Sequence, residues 1–93
     1  TTKMGATPLF VAAMAGYRDI AELLLDHNAS LTGRVSITPL HAAARGGHLD
    51  VVKLLIRRGA NAAAKDDEGH TPLQYALQQN HAETAEFLRE NGG

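Results

Sequence analysis

A similar pattern of apolar and polar positions occurs three times along this chain. The motif Thr-Pro-Leu begins at residues 7, 38 and 71, which lie 31 and 33 residues apart. Each threonine is followed five residues later by an alanine pair or its equivalent, and sixteen residues later by an apolar run such as Leu54-Leu55-Ile56. A period near 33 residues is typical of proteins that stack one short structural unit several times. The pattern therefore predicts three copies of one unit.

Each unit is predicted to contain two helices joined by a tight turn. Threonine caps helices and proline suits the first helical position, so the first helices should begin at Pro8, Pro39 and Pro72. Nine residues after each threonine stands a residue that tolerates a left-handed backbone, namely Gly16, Gly47 or Asn80. The second helix opens with an acid that complements the helix dipole, namely Asp19, Asp50 or Glu83. It should end in the same left-handed way, at Asn28, Gly59 or Gly92.

The middle unit, TPLHAAARGGHLDVVKLLIRRGAN, resembles the consensus of the ankyrin repeat family almost position for position. The segment before the third threonine, AKDDEGHTPL, is similar to the β-turn finger of that family. The resemblance covers the whole chain as about three repeats, near residues 5–35, 36–68 and 69–93, in a single domain of residues 1–93. It implies an all-α ankyrin-repeat solenoid of stacked antiparallel helix pairs with β-turn fingers.

Three departures from the family pattern are specific. Only His41 keeps the histidine that the family uses to tie neighbouring turns, because Phe10 and Gln74 replace it in the other units. The first junction is two residues shorter than the second and carries Ser36 in place of the finger glycine, so the first finger should be truncated or differently shaped. The third unit carries Thr84 and Arg89 where the others are apolar, which predicts a polar C-terminal cap facing water.

The first unit lacks such a polar face, because its first helix keeps Phe10, Val11 and Met14. Two explanations stay open from the sequence. Either the chain was cut from a longer array, or something covers that end.

The composition limits the classes of protein and of functional site that this chain can represent. The chain has 93 residues, a net charge of −1 and no cysteine, which excludes disulfides, thiolate metal sites and a cysteine nucleophile. No apolar run reaches the length of a membrane span, and no secretory signal marks the start. We therefore expect an intracellular protein, cytoplasmic or nuclear, that is monomeric and binds neither membranes nor nucleic acid.

Candidate chemistry is sparse. The histidines lack cysteines or a close His-x-x-x-His pair and occupy repeat positions, so structural roles are favoured over metal binding. The acidic run at residues 66–68 is interpreted as a solvated turn in preference to a calcium site. There is no phosphate-binding loop and no nucleophile with a base. We expect no cofactor, no metal and no enzymatic activity.

Family members usually meet their partners through the fingertips and the exposed face of the first helices. Carried over by position, the resemblance implies protein-binding roles for Lys3, Met4, Met14, Arg34, Val35, Ile37, Arg45, Asp67, Glu68, His70, Gln78 and Gln79.

Two features of this set bear on a partner. The apolar members Met4, Met14, Val35 and Ile37 form either an interface or local packing, and both interpretations stay open. Residues 30–65 hold six Lys/Arg against one acid, whereas residues 66–93 hold six acids against one Arg. This split could steer an acidic segment towards Arg34 and Arg45, but ordinary solubilising charge is the favoured explanation.

The predicted function is a non-catalytic protein–protein interaction module that presents a rigid concave and fingertip surface to a protein or peptide partner. An alternative is an engineered or excised ankyrin scaffold without a partner of its own. The irregular first junction disfavours a pure consensus design. Nucleic-acid binding through the basic middle is opposed by the near-neutral net charge and the few aromatic residues.

Overall fold

The computed structural model describes residues 8–27 and 38–92, and all regular secondary structure in these residues is helical. The six helices are α1 (Pro8–Ala15), α2 (Arg18–Asp26), α3 (Pro39–Arg45), α4 (Leu49–Arg57), α5 (Pro72–Gln78) and α6 (Ala82–Glu90). Each predicted unit thus holds a pair of short helices, and the predicted starts at the three prolines are confirmed. In these two ranges, no helix has the length and apolar character needed to cross a membrane.

The helices pack in two rows. The first helices α1, α3 and α5 contact one another in order, as do the second helices α2, α4 and α6, and each first helix also packs on its own second helix. The core between the rows centres on Leu9, Leu40, Leu55 and Leu88, all fully buried. Buried alanines such as Ala13 and Ala44 keep the first helices close together, because their side chains are small. We call α1, α3 and α5 the first-helix row.

Both threonine caps within the described residues form reciprocal hydrogen bonds. The Thr38 side chain accepts from the backbone N–H of His41, and the Thr38 backbone N–H donates to His41 Nδ1. Thr71 and Gln74 repeat this arrangement in the third unit. Such capping boxes satisfy N–H groups that have no partner inside the helix. Gln74 therefore replaces the histidine in its capping role.

The turns between paired helices adopt the predicted left-handed backbone. The φ angles are 81° at Gly16, 69° at Gly47 and 61° at Asn80. At Gly47 there is a second constraint, because a Cβ atom there would lie 2.5 Å from the His81 ring. His81 Nε2 donates to the carbonyl oxygen of Arg45 at 3.1 Å, so the ring of the third unit is held against the turn of the second. His48 repeats this contact with Met14 and Gly16.

The ends of the rows differ in burial from the middle. Ile20 and Leu23 are 50% and 58% exposed, whereas Val51 and Leu54, at the same positions of the next unit, are 0% and 2% exposed. Because α4 packs against α2, we attribute the burial of Val51 and Leu54 to the first unit. Within the described residues, no such unit covers Ile20 and Leu23.

The burial of Thr84 contradicts one expectation for the third unit. Thr84 was expected to face water as part of a C-terminal cap, but it is 2% exposed. It occupies the position of Val51 and so faces the unit before it. Arg89 is exposed, as a cap requires. Of the two residues assigned to the cap, Arg89 therefore meets water and Thr84 does not.

Candidate protein-binding surface

The structure describes part of the predicted set of partner-binding residues. Those within it are Met14, Arg45, Asp67, Glu68, His70, Gln78 and Gln79. Lys3, Met4, Arg34, Val35 and Ile37 lie outside the described residues. All of the described members except Gln78 lie in two places, an open groove on the first-helix row and the turn at residues 66–70.

An open groove of about 310 Å³ crosses the first-helix row, lined by Phe10, Met14, Ala42, Arg45, Gly46 and Gln79. We call it the first-helix groove. It brings together Met14, Arg45 and Gln79, which the sequence places in three different units. Met14 is 53% exposed, so the methionine expected at the surface is there. Gln78 is exposed but does not line the groove.

Arg45 supplies the positive charge of this groove. It lies in the last turn of α3, where a cation complements the negative end of the helix dipole. Among residues 8–27 and 38–92, the ion pairs made by lysine and arginine side chains are Arg18 with Glu22 and Arg58 with Asp26. Since Arg45 belongs to none of them, its guanidinium is available to an incoming carboxylate.

The turn at residues 66–70 is closed by Asp66. One carboxylate oxygen accepts from the backbone N–H groups of Glu68 and His70, at 3.0 and 2.8 Å, and the other accepts from the Tyr75 hydroxyl. The expectation of a solvated acidic run is therefore wrong for Asp66, which is buried because these three donors replace water. Asp67 and Glu68 are exposed, as expected.

The same contacts shift two pKa values. The hydrogen bond from Tyr75 holds the pKa of Asp66 below its usual 3.8, against the opposing effect of burial. Reciprocally, that hydrogen bond raises the pKa of Tyr75 to about 12, because an ionised phenol would lose it and repel the carboxylate. Asp66 therefore stays ionised and Tyr75 stays neutral over the physiological pH range.

A metal site at this turn is not favoured by the geometry. Ligand atoms of Asp66, Glu68 and His70 lie within 4.8 Å of one another. However, both oxygens of Asp66 already accept hydrogen bonds, so a cation could bind there only by displacing Tyr75 or backbone donors. The cluster is better explained as the closure of the turn.

His41 links the second unit to this turn. It is fully buried, and Nδ1 accepts from the Thr38 backbone N–H, which leaves Nε2–H to donate to the His70 carbonyl oxygen at 2.8 Å. The structural role expected for this histidine is confirmed. Burial lowers the pKa of His41 below its ordinary 6.5, because the charged imidazolium would lose its contact with water.

Stability should therefore decrease as the pH falls below 6.5. The unfolded chain protonates His41 near 6.5 while the folded chain keeps it neutral, so acid favours unfolding until the pH passes the lower folded-state pKa. We expect the thermal midpoint to decrease measurably between pH 6.5 and about 5. Asp66 adds a similar loss only below its usual pKa of 3.8.

The matched variant for this test is His41→Gln, which introduces the residue of the equivalent position, Gln74. It keeps the capping geometry but removes the titrating group, so its midpoint should be lower at neutral pH and should depend less on pH. A pH dependence equal to that of the parent would contradict the role of His41.

Sequence reasoning missed several residues of this surface. Phe10 and Ala42 line the groove, and Tyr75 closes the turn. A signal for Tyr75 was present, because a large polar aromatic residue stands where the other units carry Val11 and Ala42. The sequence distinguishes Phe10 as a departure at the histidine position and as part of an apolar first helix, but does not place it in a groove.

Comparison with protein families agrees with the repeated units. A model of ankyrin repeats in three copies matches residues 31–93, and a model of a single ankyrin repeat matches residues 4–34. No curated protein matches the chain at a significant level. The resemblance predicted from the Thr-Pro-Leu units is confirmed by both family models.

Proposed function

Because the chain belongs to the ankyrin repeat family, whose members generally act in protein interactions, we propose that it is a non-catalytic module for binding a protein or peptide. The observation that carries this proposal is the first-helix groove, where exposed Met14 and Arg45 meet on neighbouring helices. An exposed apolar side chain next to a cation without an ion pair is the combination expected of a contact surface.

The groove is proposed to act as a preformed surface. Its residues stand on helices whose inner sides are buried and whose ends are fixed by caps and by the turn histidines His48 and His81. Fixed side chains lose little entropy when a partner binds, so more of the contact energy remains as affinity. In this proposal the helix pairs stack as a solenoid.

The turn at residues 66–70 is proposed to be a finger at the edge of the same surface. Asp66 fixes its backbone from inside, while Asp67 and Glu68 project into water. Such a fixed turn with exposed acids would contact basic or polar groups of a partner. Lys3, Met4, Arg34, Val35 and Ile37 remain proposed contacts on the strength of the family resemblance alone.

A display library screened against the protein tests this proposal. Peptides or small protein domains selected by binding to the parent should lose about tenfold or more in affinity for Met14→Glu, which changes an exposed groove residue to a charged one. Leu23→Glu is the matched control, because Leu23 is equally exposed but lies in α2, outside the groove. Its affinity should equal that of the parent.

Circular dichroism should show the same helical content for all three proteins. Selected binders that tolerate Met14→Glu but lose affinity for Leu23→Glu would contradict the proposed surface.

A further inference from the structure

We propose that the first-helix groove recognises an acidic peptide segment, with one apolar side chain in the cavity and a neighbouring carboxylate on Arg45. This inference rests on the proposed protein-binding function and names the chemistry of the partner. The reasons lie in the size of the cavity, in the charges of the first-helix row and in the position of Arg45.

The cavity fits an apolar side chain. Its volume of about 310 Å³ lies at the lower end of ligand pockets, which run from about 300 to 1,000 Å³. Phe10, Met14 and Ala42 provide an apolar lining. A leucine or methionine side chain of a peptide would bury apolar surface there and release water.

The first-helix row carries a single charged side chain. The sequences of α1, α3 and α5 are PLFVAAMA, PLHAAAR and PLQYALQ, so Arg45 is the one charged residue of these three helices, since buried His41 is neutral. The remaining polar lining residue, Gln79, is uncharged. Arg45 therefore supplies the charge of the groove lining, and complementarity favours a negatively charged group of the partner beside it.

Arg45 is placed to bind a carboxylate. Its side chain is exposed at the mouth of the groove, and its backbone is fixed by the hydrogen bond from His81 to its carbonyl oxygen. A guanidinium matches the two oxygens of a carboxylate with two parallel hydrogen bonds, which favours a carboxylate over a neutral acceptor.

Acidic residues of the peptide are favoured only beside Arg45. Asp67 and Glu68 are exposed at the 66–70 turn and would repel acids that reached them. A uniformly acidic peptide would therefore gain at Arg45 and lose at the turn. The preferred segment carries one or two acids directly beside its apolar residue and neutral or basic residues towards the turn.

Four labelled peptides of about ten residues test this inference by fluorescence anisotropy. They share a neutral host sequence and differ at the centre, which reads Glu-Leu-Glu, Gln-Leu-Gln, Lys-Leu-Lys or Glu-Ala-Glu. We expect the Glu-Leu-Glu peptide to bind about tenfold more tightly than the Gln-Leu-Gln peptide, and the Lys-Leu-Lys peptide to bind most weakly. The Glu-Ala-Glu peptide should lose affinity because it leaves the cavity empty.

Substitutions at Arg45 test whether this residue causes the preference for the acidic peptide. Arg45→Gln should abolish the preference for the acidic peptide, and Arg45→Glu should reverse it towards Lys-Leu-Lys. Arg57→Glu is the matched control, because Arg57 is an exposed arginine in the last turn of α4, away from the groove. It should keep the preference of the parent.

Chemical-shift mapping of the backbone amides of Ala42, Arg45 and Gly46 distinguishes two negative results. Either the groove binds peptides without an acidic preference, or it does not bind peptides. If the neutral or basic peptide shifts these amides at equal affinity, the groove binds peptides and the acidic preference is wrong. If none of the peptides shifts them, peptide binding by this groove is wrong as well.

Discussion

Leu54→Ala should lower the free energy of unfolding by about 2–5 kcal/mol, the usual cost of emptying a buried leucine site. Leu54 is 2% exposed and lies in the core, on α4, which packs against α2 of the first unit. Total stabilities of small proteins are about 5–15 kcal/mol, so this single change could remove a large share of the total. Chemical denaturation followed by circular dichroism measures the effect.

Leu23→Ala is the control for this prediction, because Leu23 occupies the same position in the first unit and is 58% exposed. Its cost should stay within about 0.5 kcal/mol, since an exposed side chain loses little packing when shortened. Similar costs for the two variants would mean that the units do not stack in the order described.

Gly47→Ala should cost at least about 2 kcal/mol, because it combines two unfavourable effects. The backbone at Gly47 has φ of 69°, which disfavours any Cβ atom, and the new Cβ would lie 2.5 Å from the His81 ring. The ring must move, and its hydrogen bond to the Arg45 carbonyl oxygen is lost with it. The melting temperature and the denaturation midpoint should both fall.

Gly59→Ala separates the two effects. Gly59 also has a positive φ, 102°, but a Cβ atom there would meet nothing within 4 Å. It should therefore show only the backbone cost, about 1–2 kcal/mol. In addition, His81→Ala combined with Gly47→Ala should cost less than the sum of the single changes, because the clash disappears. Strict additivity would contradict the contact.

Features set by neighbouring residues could be predicted from the sequence. Pro39 and Pro72 mark helix starts because proline fits the first helical position, and Gly47 and Asn80 mark turns because they accept a left-handed backbone. These rules act within a few residues, so they hold without knowledge of the packing.

Features set by contacts between units could not be predicted in the same way. Thr84 was assigned to a water-facing cap because its hydroxyl is polar, but its burial depends on the unit that lies before it. The buried state of Asp66 depends on a hydroxyl nine residues along the chain, on Tyr75. The ion pair of Arg58 with Asp26, at 2.9 Å, likewise joins two units and has no signal in either segment.

In the candidate surface, too, the sequence predicts single residues but not the contacts between units. Arg45, Met14 and Gln79 could be assigned by position within a repeat, but their meeting in one groove depends on how the units stack. Phe10 belongs to that groove because it replaces the histidine of its unit with an apolar side chain, a consequence that only the packing reveals.

Hydrogen–deuterium exchange of the protein, free and bound to a selected peptide, tests most directly whether a preformed groove binds by contact. The free protein should already protect the amides of α1, α3 and α5, and binding should add protection only around Met14, Arg45 and Gln79. Protection that spreads over α4 and α6 on binding, or that omits Arg45, would contradict a rigid surface on the first-helix row.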